Sequence, residues 1–249
     1  MSLVKPSNAS DRMEKPLPEN IDATLSCYRN GDLFDKNTYQ SPMLSILNGI
    51  IKAFEMMLAD EYQDIENNED SITARLLEDF LDEDSMQTAL DLKDYRFIPE
   101  PAAYNQQYLQ VGYSDIRVIV TNRVGAFDTT KADYIIECKR LDGGRTLNTQ
   151  YVKEGICRFV EEKYTWKNVH KTSAMLGYIV SHTDIPTCIG SINQIGQKNN
   201  IAKFIEPLKP FSTRLGFDFS YRSEHNTIHG NTAVVFHVLF NLSSKVKAS

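Results

Sequence analysis

An α/β fold with a central mixed β-sheet flanked by helices is predicted from three features of this sequence. Helical periodicity marks residues 43–58 and 72–81, and Val-, Ile- and Tyr-rich runs of strand length mark residues 109–120, 133–141, 174–180 and 232–242. These elements do not alternate as a regular βαβ repeat, which points to a sheet with both parallel and antiparallel pairs. With 249 residues, 41% hydrophobic and 24% charged, the chain has globular proportions and enough apolar mass for one large core.

Met1 to Thr24 is polar, contains Pro6, Pro16 and Pro18, and shows no periodicity, so residues 1–24 are expected to be a mobile tail and 25–249 a single domain. From Pro42, the series Met43, Leu44, Ile46, Leu47, Ile50, Ile51, Phe54, Met57, Leu58 forms the stripe of an amphipathic helix. A second helix should open at Asn68 to Asp70, where small polar capping residues precede Ile72, Leu76, Leu77, Phe80 and Leu81, and end at Asp82-Glu83-Asp84. A short strand over Tyr95 to Ile98 is stopped by Pro99 and Pro101, and longer strands follow at Leu109 to Val120 and Asp133 to Leu141, with a connection at 122–131. Next come a helix over Thr149 to Trp166, a strand at Ala174 to Val180, and a helix over Ile192 to Ile205. Strands at Gly216 to Tyr221 and Thr232 to Leu242 close the order.

The net charge of -6 hides an asymmetry: residues 1–100 hold 9 Lys/Arg against 21 Asp/Glu, residues 139–222 hold 13 against 7. That distribution permits a basic face for a polyanion beside an acidic one. The four cysteines form no Cys-x-x-Cys pair, so neither a zinc site nor a disulfide framework is expected. No uninterrupted run of about 18 apolar residues occurs, and no signal peptide is recognisable. A cytoplasmic protein without membrane contact is the expectation.

The chemistry-bearing text is Tyr113-Ser114-Asp115-Ile116-Arg117-Val118 followed by Ile135-Ile136-Glu137-Cys138-Lys139-Arg140-Leu141. Strand alternation places Glu137 and Lys139 on one face, Ile136 and Cys138 on the other. A carboxylate and an ammonium inside an otherwise buried strand are costly unless they are paired or serve a metal. Phosphodiester hydrolysis needs such a set. Carboxylates can hold a divalent ion that neutralises phosphoryl oxygens and lowers the pKa of water, and a lysine stabilises the same developing charge. Asp115 and Glu137 are the natural ligands, and the carbonyl of Cys138 offers a further hard oxygen.

In these residues the chain resembles the PD-(D/E)xK nuclease superfamily. Asp115 stands near the start of one strand, Glu137-Cys138-Lys139 lies on the next, and an acidic residue is sought on a preceding helix; Ser114 replaces the usual proline. The resemblance implies a restriction-endonuclease-like core and Mg²⁺ (or Mn²⁺) as cofactor. It implies nucleic acid as partner, DNA ahead of RNA, in bacterial or phage defence or processing. It also allows a homodimer, although no segment identifies a dimer interface. At about 100° per residue from Ile72, the apolar stripe centres near about 90°, with Glu69 at about 60° and Glu78 at about 240°. Glu69 is therefore the preferred helical acid, with Asp70 and Glu78 as substitutes. Gln150 and Arg158, on the helix after the Glu-x-Lys strand, are candidate phosphate contacts.

Converging carboxylates should leave such a site frustrated without a cation, since two charges about 4 Å apart repel by roughly 4 kcal/mol at an effective dielectric of about 20. Other chemistries find little support. Most of the five histidines are expected to be surface or satisfied structural residues, Ser223-Glu224-His225 is no nucleophile elbow, and no Gly-x-x-x-x-Gly-Lys-Ser/Thr loop exists. Tyr164 and Trp166 suit helix-end packing or base stacking. The alternative from another class is a non-catalytic protein that keeps the nuclease fold and acts as a binding or assembly subunit.

Overall fold

Eighteen residues, Pro42–Ala59, form helix α1, and its apolar stripe is wide because both flanks are covered: Ile46, Leu47, Ile50 and Ile51 are fully buried. By length and composition alone α1 could cross a membrane, yet it lies in the core of the domain. The computed structural model describes residues 42–60, 65–104, 110–121, 133–164, 172–213 and 216–247. The expected tail at 1–24, the connection at 122–131 and Trp166 lie outside the described residues.

Helix α2 (Glu69–Leu76) opens where the capping signal places it. The Asn68 side chain accepts the backbone N–H groups of Asp70 and Ser71, satisfying two donors the helix cannot use itself. The helix widens into a π turn over Leu77–Leu81, closed by the N–H of Asp82 on the carbonyl of Leu77. A short helix, α3 (Asp84–Ala89), follows.

Strands β1 (Tyr95–Pro99), β4 (Ile116–Val120), β5 (Asp133–Leu141), β6 (Thr172–Ile179), β7 (Phe204–Pro210), β8 (Ser220–Asn226) and β9 (Thr232–Asn241) make one mixed sheet, ordered β1-β4-β5-β6-β9-β8-β7. The centre, β5-β6-β9, is parallel and both margins are antiparallel. Side-chain alternation divides the core. Ile136, Cys138, Leu176 and Tyr178 face α1 and α2. Ile135, Leu141, Met175 and Leu239 face the opposite helical layer. That layer consists of α4 (Arg145–Gln150), a π segment (Tyr151–Ile156), α5 (Cys157–Val160) and α6 (Ile185–Gln197).

Four sequence expectations are corrected. The single strand over Leu109 to Val120 is two, β3 (Gln110–Tyr113) and β4, because the hairpin leaves the main sheet at Ser114-Asp115 and pairs separately with β2 (Ala102–Tyr104). At the bend Glu100 has φ +43° and donates to the Asp115 carbonyl, and Pro101 has no N–H to offer β4. The helix after β5 begins at Arg145 rather than Thr149. Helix α6 starts at Ile185 rather than Ile192, with Asp184 capping the Thr187 N–H and Pro186 in the first turn. It ends at Gln197, so Phe204 and Ile205 belong to edge strand β7, where Pro207 and Pro210 are tolerated. The closing hairpin begins at Ser220, not Gly216.

Candidate active site

The register of β4 on β5 ends at Ile116 opposite Ile136. Beyond that pair β5 runs on to Leu141 with no strand on its β4 side, and its inward-facing backbone groups need other partners. Acidic side chains take the place of the missing strand. Asp115 Oδ2 accepts the N–H of Cys138 at 2.5 Å, and Glu69 Oε2 accepts the N–H of Arg140 at 3.0 Å. The Cys138 carbonyl on the same edge accepts Lys139 Nζ at 2.6 Å. The ammonium also lies 2.7 Å from Glu69 Oε1 and 3.4 Å from Asp115 Oδ2.

Three expected site residues, Glu69, Asp115 and Lys139, thus meet at one point on the free edge of β5. Of the three acids considered on α2, Glu69 reaches it, and Asp70 and Glu78 are exposed. Glu69 is fixed from behind. Thr73 Oγ1 donates to the Glu69 carbonyl and is left to accept from Tyr178 OH on β6, at 3.1 Å. The preceding loop is held where Arg140 donates to the carbonyl and side-chain oxygen of Asn67. Lys139 is 6% exposed, against 28% and 27% for the side chains of Glu69 and Asp115. The acids therefore face solvent and the ammonium lies beneath them. Burial alone would depress the Lys139 pKa; the Asp115 and Glu69 carboxylates outweigh it and hold the amine above its ordinary value.

Glu137 occupies a different position from the one expected. It has no exposed surface, and its oxygens are taken by Arg158 Nη1 at 2.8 Å and by Tyr164 OH. Arg158 also donates to Tyr164 OH at 3.2 Å and to the Tyr113 carbonyl at 3.4 Å. Burial, and next the Asp115 charge, push the Glu137 carboxyl up to about 8, opposed by Arg158, Tyr164 and Lys139. Among the described residues no three His, Cys, Asp or Glu side chains are grouped around one ion. The donors that do converge are one oxygen each of Glu69 and Asp115 and the Cys138 carbonyl. These are hard oxygens of the kind Mg²⁺ and Mn²⁺ take, so the residues fit such an ion.

Arg158, read from sequence as a phosphate contact, is the ion-pair partner of Glu137. Gln150, at the end of α4, makes none of these contacts. Tyr164, expected to serve helix-end packing or base stacking, does pack its ring against Phe159; what sequence reasoning missed is its hydroxyl, which is spent on Glu137. The π segment matters here because Gly155 lies over the Lys139 stem: a Cβ there would stand 3.6 Å from Lys139 Cγ and 2.2 Å from Met175 Cε.

A second buried polar array runs from the π segment to β8 and β9, away from the acids. Tyr151 OH meets His237 Nδ1 at 2.9 Å, Ser223 Oγ meets both His237 Nε2 and His225 Nε2 at 2.7 Å, and His225 Nδ1 meets the Ala202 carbonyl at 2.7 Å. A carbonyl can only accept, which fixes every proton upstream: Tyr151 donates to His237, His237 to Ser223, Ser223 to His225, and His225 to Ala202. Ser223 and both imidazoles have no exposed surface, so this is a structural network.

Comparison with protein-family models, with curated proteins and with solved structures found no match.

Proposed function

We propose that this chain is a metal-dependent phosphodiesterase of nuclease type with a restriction-endonuclease-like core, acting on nucleic acid, DNA ahead of RNA. The observation that supports it is the meeting of Glu69, Asp115 and Lys139 on the unpaired half of β5, beside the buried Glu137–Arg158 pair. An ordinary strand edge is closed by backbone or exposed to water; this one is lined by two solvent-facing carboxylates and a buried cation. The order of acid-bearing helix, Asp-bearing strand and Glu-x-Lys strand agrees with the resemblance read from the sequence.

In this reading Glu69, Asp115 and the Cys138 carbonyl hold the ion. Once bound, Mg²⁺ or Mn²⁺ supplies charge neutralisation at the phosphoryl oxygens and an acidified water. Lys139 stabilises negative charge developing on the phosphoryl group. Arg158 and Tyr164 hold the buried Glu137 carboxyl in place, two residues from Lys139.

The test compares cleavage of single- and double-stranded DNA and RNA by wild type and Lys139→Ala, with Mn²⁺ and with chelator. Metal-dependent cleavage lost in the variant is the expected result. Equal, metal-independent background from both proteins would support the second reading, a non-catalytic binding or assembly subunit. One observation favours that second reading: the carboxyl groups of Glu137, Glu69 and Asp115 are already paired with protein cations.

A further inference from the structure

We propose that the Lys139 ammonium and a divalent cation are alternative occupants of one oxygen cage, so that loading the site requires the lysine to withdraw. The inference rests on the metal-dependent reading above and adds to it a built-in competitor.

Geometry carries it. An ammonium has three protons, and those of Lys139 find three acceptors from three residues: Glu69 Oε1 at 2.7 Å, the Cys138 carbonyl at 2.6 Å and Asp115 Oδ2 at 3.4 Å. Two carboxylates and a main-chain carbonyl are also the hard oxygen donors a Mg²⁺ or Mn²⁺ ion takes. An ion bound to these oxygens would share them with a like charge in a partly desolvated place, so the two cations exclude each other. Access favours exchange: the acids are reached from solvent, and the ammonium sits on their inner side.

The Lys139 stem is flexible and passes Gly155, where a Cβ would stand 3.6 Å from Lys139 Cγ, ordinary van der Waals contact. Glu137 stands two residues away on the same face of β5, with its oxygens taken by Arg158 and Tyr164. Lys139 therefore acts as an internal counter-ion that holds two acids together until a divalent ion replaces it, lowering apparent metal affinity by the cost of that replacement.

The experiment measures Mn²⁺ binding by electron paramagnetic resonance with the full chain, for wild type, Lys139→Met and Lys139→Arg. Lys139→Met keeps the stem without the charge and is expected to bind Mn²⁺ about tenfold more tightly, the factor equivalent to 1.4 kcal/mol; Lys139→Arg is expected to stay weak. A parallel measurement uses wild type alone: amine-reactive footprinting with mass spectrometry should show Lys139 labelling rise several-fold on adding Mg²⁺, with exposed Lys209 unchanged. Equal or weaker binding by Lys139→Met, or Lys139 as protected with Mg²⁺ as without it, overturns the proposal. If Lys139→Met does not fold, the footprint decides. Absence of Mn²⁺ binding by every protein overturns the exchange together with the metal reading. Exchange seen without cleavage of any nucleic acid removes the nuclease reading and leaves the exchange standing.

Discussion

Arg158 Nη1 stands 2.8 Å from Glu137 Oε2, and the carboxylate it meets is completely enclosed. A buried pair of this kind adds little over an apolar pair of the same shape, but removing one partner strands the other charge away from water. Above pH 8, where Glu137 is ionised, Arg158→Ala should therefore cost about 3 to 5 kcal/mol in urea denaturation. Tyr164→Phe, which removes one hydrogen bond and keeps the ring, should cost about 1 kcal/mol. The two losses should not add, because Arg158 and Tyr164 are bonded to each other. An Arg158→Ala protein as stable as wild type would mean that Glu137 finds water.

Asp115 has two duties that substitutions can separate. Its Oδ2 closes the Cys138 N–H, a role that an amide oxygen can keep, and its charge faces Lys139, a role that an amide cannot. Asp115→Asn should fold with wild-type stability to within about 1 kcal/mol, and Asp115→Ala should lose a further 1 to 3 kcal/mol, roughly the cost of an unsatisfied donor. Both should lower metal-dependent cleavage by about 10² or more, the usual loss when one transition-state contact is removed. Identical denaturation midpoints for the two variants would contradict this division.

Divalent ions should stabilise the fold. At a hundredfold excess over the dissociation constant, Mg²⁺ or Mn²⁺ should add about 2.7 kcal/mol, roughly 5 to 10 °C in melting temperature for a domain of this size. Glu69→Gln should abolish most of the shift. A wild-type melting temperature unmoved by millimolar metal would count against both the cofactor and the exchange with Lys139.

The Tyr151–His237–Ser223–His225 chain makes stability depend on pH. Both rings use one nitrogen as an acceptor and are therefore neutral. Burial pushes His225 down to about 4, and burial, then His225 itself, holds His237 well below the ordinary range. The unfolded chain protonates these rings near the usual value of about 6.5. Between pH 6.5 and 4 the unfolded state binds more protons, so stability is complete above 6.5 and falls as the pH drops towards 4. His225 alone contributes on the order of 3 kcal/mol over that window, at about 1.4 kcal/mol per unit. Urea midpoints from pH 7 to 4.5 should show the decline, with a shallower slope in His225→Gln; parallel slopes would refute it.

Much of the site was legible because strand and helix periodicities say where side chains point. Alternation along β5 put Glu137 and Lys139 on one face, and helical phase turned Glu69 inward. The apolar run at Ile192 predicts a start seven residues late for the helix that Asp184 and Pro186 open, although their capping signal is present in the sequence. Glu137 as a metal ligand beside Asp115 was reasonable on sequence alone; its pairing with Arg158 and Tyr164 depends on how far a π turn rotates α5, and no local pattern encodes that rotation. Tyr164 carried the composition of a packing residue, and only its hydroxyl partner sets it apart.

The late start of β4 has a consequence for anyone altering this protein. Had the hairpin stayed in register through Gly112, its own amides and carbonyls would have zipped onto Cys138 and Arg140, and the oxygens gathered there would have had nothing to hold. The oxygen cluster at this spot thus depends on a seam left unsewn. Removing the kink at Glu100–Pro101 should disperse the cluster without touching a single acidic or basic side chain in it.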